Sequence, residues 1–333
     1  MTSDDTLLRT EDLTKHFPAG KDRLLRAVDG VSLQIARGET LGLVGESGCG
    51  KSTLGRLICR LEEPTRGRIW LDGTDLLALP PADLRRLRPR MQMIFQDPFA
   101  SLNPHKTVEQ IVSLPLRIGG VRAAAEVRRR LHELLDHVGL DPSQASRFPH
   151  QFSGGQRQRI GIARALACEP DLIIADEPVA SLDVSIQAQI LDILRGLQGR
   201  FHLTAVFISH DISVVSHVSQ RIAVMYLGKI VEMSDTEDLF THPLHPYTEA
   251  LLSAVPVPDP AAKRERIILK GDVPSPINPP DYCRFYDRGC PRRMTICRMR
   301  EPQLVETRPG HTCACFAVNP PAHAAPVVLT PEP

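Results

Sequence analysis

One short stretch, residues 45–53, constrains the fold of this chain more than any other. It reads Gly-Glu-Ser-Gly-Cys-Gly-Lys-Ser-Thr, follows the apolar run 41–44 and precedes the helical-looking segment 54–61. A strand, a glycine-rich loop and a helix in this order bind phosphate, because the glycines let backbone amides turn inward and the helix N-terminus adds positive charge. The positions expected to hold a nucleoside triphosphate are Gly45, Ser47, Gly48, Cys49, Gly50, Lys51, Ser52 and Thr53.

Three side chains of this loop have separate expected roles. Lys51 should reach the terminal phosphates, and the Ser52 hydroxyl should bind Mg²⁺. Cys49 lies beside Lys51 and a helix N-terminus, and both neighbours should lower the pKa of its thiol. The alternative is an ordinary glycine turn with a solvated lysine, which the flanking strand and helix disfavour.

Composition narrows the class of protein. A chain of 333 residues has room for one large domain and a smaller one, and its net charge of +1 gives no reason to expect nucleic acid as a partner. The acidic, polar start does not resemble a secretory signal. Since no apolar run approaches the roughly 20 residues that span a bilayer, action at a membrane would require a partner that holds the chain there.

Alternating strand and helix patterns predict an α/β fold. Residues 31–35 alternate apolar and polar side chains, as in a half-buried strand, whereas 172–175 and 203–208 are apolar runs typical of buried parallel strands. Between the strand at 31–35 and the strand at 172–175, residues from about 97 to 168 should form a helical subdomain. Within it, the apolar spacing at 127–138 marks one helix face. This order predicts a parallel sheet covered on both faces.

The composition changes near residue 256. About half of the chain's 29 prolines follow that point, and proline disfavours long helices and central strands. We therefore predict a domain at 1–255, a small irregular domain with a cysteine cluster at 256–318, and a disordered tail at 319–333.

A carboxylate pair closes one of the buried strands. Asp176 would hold Mg²⁺ and Glu177 would act as a general base toward the attacking water. His210 follows the next strand and could reach the γ-phosphate, although a histidine at a strand end is more often structural.

A second anion-binding element is Ser153-Gly154-Gly155-Gln156. Serine is a good N-cap, and the two glycines leave the amides of the first helical turn open to a phosphate. Taken alone, the same residues could be an ordinary helix start.

These motifs together resemble an ATP-binding cassette ATPase. They are, in order, the loop at 45–53, Gln96, Phe152 to Gln156, Asp176-Glu177, Ser181-Leu182-Asp183 and His210. Further stretches resemble the ATPase subunits of bacterial oligopeptide and dipeptide importers: 96–104, 176–179 with 182–185, His245-Pro246-Tyr247-Thr248 with Leu251-Leu252, and 271–276. The similarity covers roughly residues 6–318. It implies a RecA-like parallel-sheet core with antiparallel strands and a helical subdomain.

The resemblance also implies roles and partners. Phe17 would stack on adenine, and Gln96 would sense Mg²⁺ and the attacking water. Ser153, Gly154 and Gly155, with Gln156, would contact the nucleotide of an opposing subunit. The expected assembly contains a second ATPase subunit of different sequence, two transmembrane permease subunits and an extracytoplasmic solute-binding protein, with this chain peripheral on the cytoplasmic face. Phe152 replaces the commoner leucine, and Ala180-Ser181 replaces Ser-Ala; neither change removes a reactive group.

Five cysteines lie close together near the end of the chain. Cys283, Cys290, Cys297 and Cys313 could hold a [4Fe–4S] cluster or zinc, with Cys315 as a spare, or the thiols could be reduced or paired as disulfides. Some relatives with a similar pattern carry the cluster, but the first interval here is one residue longer, with Gly289 as the insertion.

The function predicted from these features is ATP hydrolysis that powers import of peptides or related small solutes. Import of nickel or glutathione is an alternative. A DNA-repair or chromosome ATPase would need a long coiled coil between the loop at 45–53 and the signature, the Ser153-Gly154-Gly155-Gln156 element, and a translation factor would carry two cassettes. A purely regulatory subunit disagrees with the full set of catalytic residues.

Overall fold

The computed structural model describes residues 5–255, 267–269 and 274–321. The strands within these ranges are β1 (Thr6–Pro18), β2 (Leu24–Ala36), β3 (Thr40–Val44), β4 (Arg66–Leu71), β5 (Thr74–Asp75), β6 (Met91–Ile94), β7 (Leu172–Asp176), β8 (Thr204–Ser209), β9 (Arg221–Tyr226), β10 (Lys229–Asp235), β11 (Val305–Arg308) and β12 (His311–Cys313).

The α-helices are α1 (Lys51–Ile58), α2 (Pro81–Leu87), α3 (Pro98–Ser101), α4 (Val108–Ile118), α5 (Ala124–His137), α6 (Gly154–Leu166), α7 (Val184–Phe201), α8 (Ile212–Ser216), α9 (Thr236–Thr241) and α10 (Pro246–Ser253). Short 3₁₀ turns occupy Arg88–Arg90, Pro142–Ser146, Pro149–Gln151, Tyr286–Arg288 and Thr295–Arg298. In the described part of the chain, no helix is both long enough and apolar enough to cross a bilayer.

The larger sheet carries the predicted parallel core. Its strand order is β11-β12-β10-β9-β3-β8-β7-β6. The pairs from β9 through β3, β8 and β7 to β6 are all parallel, and β10, β12 and β11 continue the sheet in antiparallel fashion. Every residue of β3 and β7 is buried, as their continuous apolar runs predict for strands covered on both faces.

A smaller antiparallel sheet, β2-β1-β4-β5, packs against the larger one. One apolar core joins side chains of both sheets, and α1 contributes Leu54, Leu57 and Ile58 to it. Burial of each of these side chains stabilises the fold by about 2 kcal/mol. The helix that follows the glycine-rich loop is therefore fixed between the sheets, and its N-terminus cannot shift independently of them.

The helical region predicted at about 97–168 contains α3 to α6. In α5 the residues at the apolar spacing, Val127, Leu131 and Leu135, are buried, and Gly139 with φ 67° follows the helix end, so the helix prediction is confirmed. By contrast, Leu114 and Ile118 on α4 and Phe99 on α3 are exposed. This region therefore presents apolar side chains to solvent.

The proline-rich C-terminal region contains strands where we expected no central strand, and that expectation is wrong. β12 lies between β10 and β11 in the larger sheet. The hairpin needs only a few residues, and its one proline, Pro309, lies in the turn, where no ladder hydrogen bond is lost. The domain bounds remain predictions, because 256–266 and 322–333 lie outside the described residues.

Buried polar contacts fix the C-terminal region to the rest of the fold. His311 in β12 places Nδ1 2.6 Å from Asp238 Oδ2 and Nε2 2.8 Å from Glu232 Oε1. Glu232 is itself fully buried and accepts the backbone N–H groups of Leu244 and His245. Removing one partner would leave a buried polar group unpaired, so these contacts resist separation of the hairpin from the sheet.

We expect His245 to make the fold acid-sensitive. Its ring is buried, its Nδ1 accepts the Tyr247 N–H, and burial lowers its pKa to about 3. In the unfolded chain the pKa is about 6.5, so below that pH only the unfolded state gains the proton, until the pH falls to the folded pKa. This group should reduce the free energy of unfolding by about 2 kcal/mol between pH 7.5 and pH 5.

Urea unfolding at the two pH values measures this change, and His245→Asn, which keeps a capping acceptor, is the comparison. The loss on acidification should be about 2 kcal/mol larger in the wild type than in the variant. Equal losses would contradict the assignment to His245.

Candidate functional site

The glycine-rich loop at residues 45–53, called the phosphate loop from here on, runs from the end of β3 into the start of α1. Gly45, Gly48 and Gly50 have positive φ, and Gly50 is the N-cap of α1. A Cβ on Gly50 would overlap the backbone carbonyl oxygen of Ala27, so a side chain at this position requires the loop to move. The loop conformation therefore depends on glycine at this point.

Lys51 is folded back onto its own loop. Its Nζ donates to the carbonyl oxygens of Gly45 at 2.8 Å and Glu46 at 3.0 Å, and it lies 4.0 Å from Glu177 Oε1. The side chain is buried. The ammonium is thus held at the mouth of the loop, where a phosphate could replace one of these carbonyl contacts.

Ser52 and Asp176 meet across the loop. The Ser52 hydroxyl donates to Asp176 Oδ1 at 2.7 Å. Burial raises the pKa of Asp176, and the hydrogen bond from Ser52 opposes that change without cancelling it. Asp176 and Ser52 together offer a carboxylate, whose charge is only partly compensated, and a hydroxyl. Oxygen ligands of this kind suit a hard divalent cation, so the two residues fit Mg²⁺.

Glu177 lies at the centre of the polar groups predicted from sequence. Its Oε2 accepts Gln96 Nε2 at 3.0 Å and lies 3.4 Å from His210 Nδ1. Its backbone has φ 44°, an uncommon value for a residue with a side chain. The fold therefore gathers Gln96, Glu177 and His210 from three separate strand ends.

The serine–glycine signature lies elsewhere in this chain. Ser153 caps α6, its hydroxyl accepting the Gln156 N–H at 3.3 Å while the Gln156 side chain accepts the Ser153 N–H at 3.0 Å. A Cβ on Gly155 would clash with Ile186 of α7, so the glycine permits close helix packing. The contacts of Gly154 and Gly155 are with the segment that follows Glu177, and their part in nucleotide binding remains a prediction.

Phe17 is half-buried on β1 and pairs with Leu25 of β2. Lys15 Nζ lies 4.7 Å from the centre of its ring. The stacking of Phe17 on adenine remains a prediction.

The expected low pKa of Cys49 is wrong. The thiol is 2% exposed, and loss of solvent raises its pKa, while the charge of Lys51 opposes that rise without overcoming it. Sequence spacing shows which charges lie near the thiol. The direction of its pKa shift is decided by how deeply it is buried, which depends on the fold.

We therefore expect iodoacetamide to modify Cys49 slowly in the folded protein, with or without ATP, because the thiolate is disfavoured and shielded. Mass spectrometry of the Cys49 peptide over time measures the rate, and the urea-unfolded chain is the control. Fast labelling that saturating ATP suppresses would contradict this burial.

The five C-terminal cysteines are all free thiols. Cys283 and Cys297 share a hydrogen bond, and Cys290, Cys297 and Cys315 lie near enough to affect one another electrostatically. Yet among the described residues, no group of three or more His, Cys, Asp or Glu side chains is arranged to hold a metal ion. The present geometry therefore does not support the predicted cluster or zinc site.

Two residues that touch the phosphate loop were missed as site residues. Tyr247 Oη accepts the Glu46 N–H at 2.9 Å, and Arg288 Nη2 lies 3.0 Å from Glu46 Oε1. The His-Pro-Tyr-Thr motif was the one available signal, and it does not say which partner the tyrosine contacts.

Comparison with known proteins agrees with this geometry. The family model described as ABC transporter matches residues 28–180, and the model described as oligopeptide/dipeptide transporter, C-terminal region, matches residues 231–297. The chain belongs to the family of ABC transporter ATP-binding subunits, and it is an ATPase that binds ATP and Mg²⁺. The resemblance predicted from the motifs is confirmed.

Individual relatives cover nearly the whole chain. The oligopeptide transport ATP-binding protein AppF of Bacillus subtilis is 52% identical in an alignment of 320 positions that covers 93% of this chain and 97% of the relative. A Brucella abortus protein, provisionally named a peptide import ATP-binding protein, is 53% identical over 313 residues, 94% of this chain and 98% of the relative.

Two solved structures share the fold of the cassette. A dimeric ATP-binding cassette in a post-hydrolysis state, bound to ADP and Pi, has a TM-score of 0.64 and 32% identity, covering 69% of this chain and 99% of that one. A cassette from Clostridium perfringens that is part of the ABC transporter complex cbiONQ has a TM-score of 0.64 and 28% identity, covering 72% and 92%.

Proposed function

We propose that this chain hydrolyses ATP at the loop formed by residues 45–53 and that the hydrolysis powers import of peptides through a membrane transporter. The observation that carries the proposal is the position of Glu177, whose carboxylate lies within reach of Gln96, His210 and Lys51. The names of the relatives, oligopeptide transport and peptide import proteins, favour peptides as the solute.

In this proposal each side chain has a distinct task. Lys51 holds the terminal phosphates, and Ser52 and Asp176 hold Mg²⁺, which supplies positive charge to the phosphate oxygens. Glu177 takes a proton from the attacking water, and Gln96 orients the same water through its amide. His210, at 3.4 Å from Glu177, contacts the γ-phosphate.

The signature at Ser153 to Gln156 is proposed to act in a second subunit. Its helix N-terminus suits an anion, but its glycines lie against Leu182 and Ile186 rather than against the phosphate loop. Two cassettes facing each other would place each signature on the nucleotide of the other. A cassette of similar fold is dimeric and bound to ADP and Pi, which supports the pairing of two cassettes.

The exposed apolar side chains of the helical region support a membrane partner. Phe99, Leu114 and Ile118 are 62%, 46% and 69% exposed, and exposed apolar side chains of this size suit burial against another protein. We infer that these side chains contact one of two permease subunits at the cytoplasmic face, where this chain is peripheral. A second, different ATPase subunit and an extracytoplasmic solute-binding protein complete the proposed assembly.

Co-purification from mildly solubilised native membranes tests the assembly. We expect the tagged protein to recover two multi-span proteins and a second cassette, identified by mass spectrometry. Recovery of soluble partners alone would contradict the transport role while leaving the ATPase intact. If the transporter is recovered, a nickel- or glutathione-specific solute-binding protein in place of a peptide-specific one would overturn the choice of solute.

We keep the iron–sulfur cluster as a proposal about the C-terminal cysteines. Its basis is the sequence, which places these thiols within one short stretch of the chain, and the thiols would have to move before four of them could hold one cluster. Iron and acid-labile sulfide are measured on protein purified without oxygen, with a Cys290→Ser, Cys297→Ser variant as control. The proposal predicts four iron atoms per chain, and absence of both elements contradicts it.

A further inference from the structure

The phosphate loop is contacted by two residues that lie about 200 and 240 positions further along the chain. The hydroxyl oxygen of Tyr247 accepts the backbone N–H of Glu46 at 2.9 Å, and the Arg288 guanidinium lies 3.0 Å from the Glu46 carboxylate. Both distant side chains are buried. The C-terminal part of the protein therefore binds Glu46 twice, once at its backbone N–H and once at its carboxylate.

The peptide unit between Gly45 and Glu46 explains why this contact matters for ATP. Its N–H points to Tyr247, and its C=O accepts Lys51 Nζ at 2.8 Å. In a trans peptide the N–H and C=O point in opposite directions, so fixing one fixes the other. The hydroxyl of Tyr247 therefore sets the direction of the carbonyl that holds the phosphate-binding lysine.

Arg288 approaches the loop from a segment that is itself anchored. Arg284, four residues earlier in the chain, is buried and donates to Asp29 Oδ2 and to the carbonyl oxygen of Leu227. Next to this anchor, Gly228 N–H donates to the carbonyl oxygen of Cys49 at 2.8 Å. The place of Arg288 is thus determined by contacts to the same part of the cassette that supports the loop.

We propose that Tyr247 and Arg288 are positioning residues for ATP, and that they act through Glu46 to preorganise the phosphate loop. The inference rests on the proposed nucleotide site and assigns a task to the C-terminal region there. Without these contacts the loop would sample other orientations of the Gly45–Glu46 peptide, and the ordering cost would appear as weaker ATP binding.

If Tyr247 had only a structural role, its substitution would have a different effect. The rings of Tyr226, Tyr247 and Phe285 pack together, so Tyr247 also contributes to the core. Replacing it with phenylalanine keeps the ring and removes only the hydroxyl. A structural residue would change thermal stability and leave the ATP affinity of the folded protein unchanged.

The first test is Tyr247→Phe, assayed by equilibrium titration with a fluorescent ATP analogue and Mg²⁺. We expect the Kd to rise about tenfold, which corresponds to the loss of one well-placed hydrogen bond. The KM for ATP should rise with it, and kcat should change less. Tyr282→Phe is the matched control, because its hydroxyl bonds to Asp287 in the same segment, away from the loop.

Wild-type affinity in Tyr247→Phe would overturn the inference. Failure of the wild-type protein itself to bind the analogue would instead contradict the proposed nucleotide site, so the two failures are distinguishable. A thermal melt without nucleotide is recorded for each variant to show that it is folded.

The second test is a double-mutant cycle between Arg288→Met and Glu46→Met, which removes the acceptor. If Arg288 acts through Glu46, its substitution should weaken binding several-fold in the wild-type background and have no further effect beside Glu46→Met. Arg288→Lys should restore part of the affinity. Arg292→Met is the control, since Arg292 pairs with Glu249 rather than with the loop. Equal effects in both backgrounds would contradict the proposed route.

Discussion

Replacing Glu177 with glutamine should leave ATP binding intact and reduce hydrolysis by about three orders of magnitude. The two side chains have the same shape, and the amide oxygen can still accept Gln96 Nε2, so the site should keep its geometry. What is lost is the ability to take a proton from the attacking water. Steady-state phosphate release and ATP titration measure the two quantities separately.

The same variant should accumulate a nucleotide-closed dimer, visible by size-exclusion chromatography with ATP and Mg²⁺. Glu237→Gln on α9, an exposed carboxylate, is the control and should hydrolyse ATP at the wild-type rate. Unchanged turnover in Glu177→Gln would remove Glu177 as the base. Loss of both binding and turnover would indicate a structural role instead.

The second large effect is expected from Gly50→Ala. A methyl group there would overlap the carbonyl oxygen of Ala27, and φ 109° is itself unfavourable for alanine. The loop must move, and with it the first turn of α1 and the position of Lys51. We expect ATP affinity to fall at least about 100-fold, equivalent to about 2.8 kcal/mol of binding free energy. Calorimetric titration with ATP measures the change.

Gly73→Ala separates backbone strain from displacement of the loop. Gly73 has φ 73°, and nothing lies within 4 Å of a Cβ placed on it. The substitution should cost about 1 kcal/mol of folding stability and leave ATP affinity at its wild-type value. Equal losses of affinity in the two variants would mean that general destabilisation, rather than the contact with Ala27, explains the result.

The parts of the site that local sequence encodes were predictable. The strand–loop–helix pattern placed Lys51 and Ser52, and the apolar run before Asp176 placed that carboxylate at the end of a buried strand. Neighbouring parallel strands bring their carboxyl ends to one edge, so Gln96, Glu177 and His210 could be expected to meet there.

Features of the site and fold that depend on burial depth or on contacts between distant residues could not be predicted from the sequence. Burial raises the pKa of Cys49. The sequence shows that Lys51 and a helix N-terminus lie nearby, but it does not show how deeply the thiol is buried. The contact of Tyr247 with Glu46 joins residues that are distant in sequence, and no periodicity connects them. Strand β12 was missed because proline frequency describes a region, whereas a strand of this kind needs only three residues free of proline.

The most direct test of the central claim is peptide uptake driven by this ATPase. The purified transporter complex is reconstituted into liposomes with ATP and Mg²⁺ inside, and labelled peptides with the solute-binding protein are supplied outside. We predict accumulation of peptide that requires ATP and is lost when this chain carries Glu177→Gln. Uptake that proceeds equally with that variant, or ATP hydrolysis without any peptide accumulation, would contradict the account.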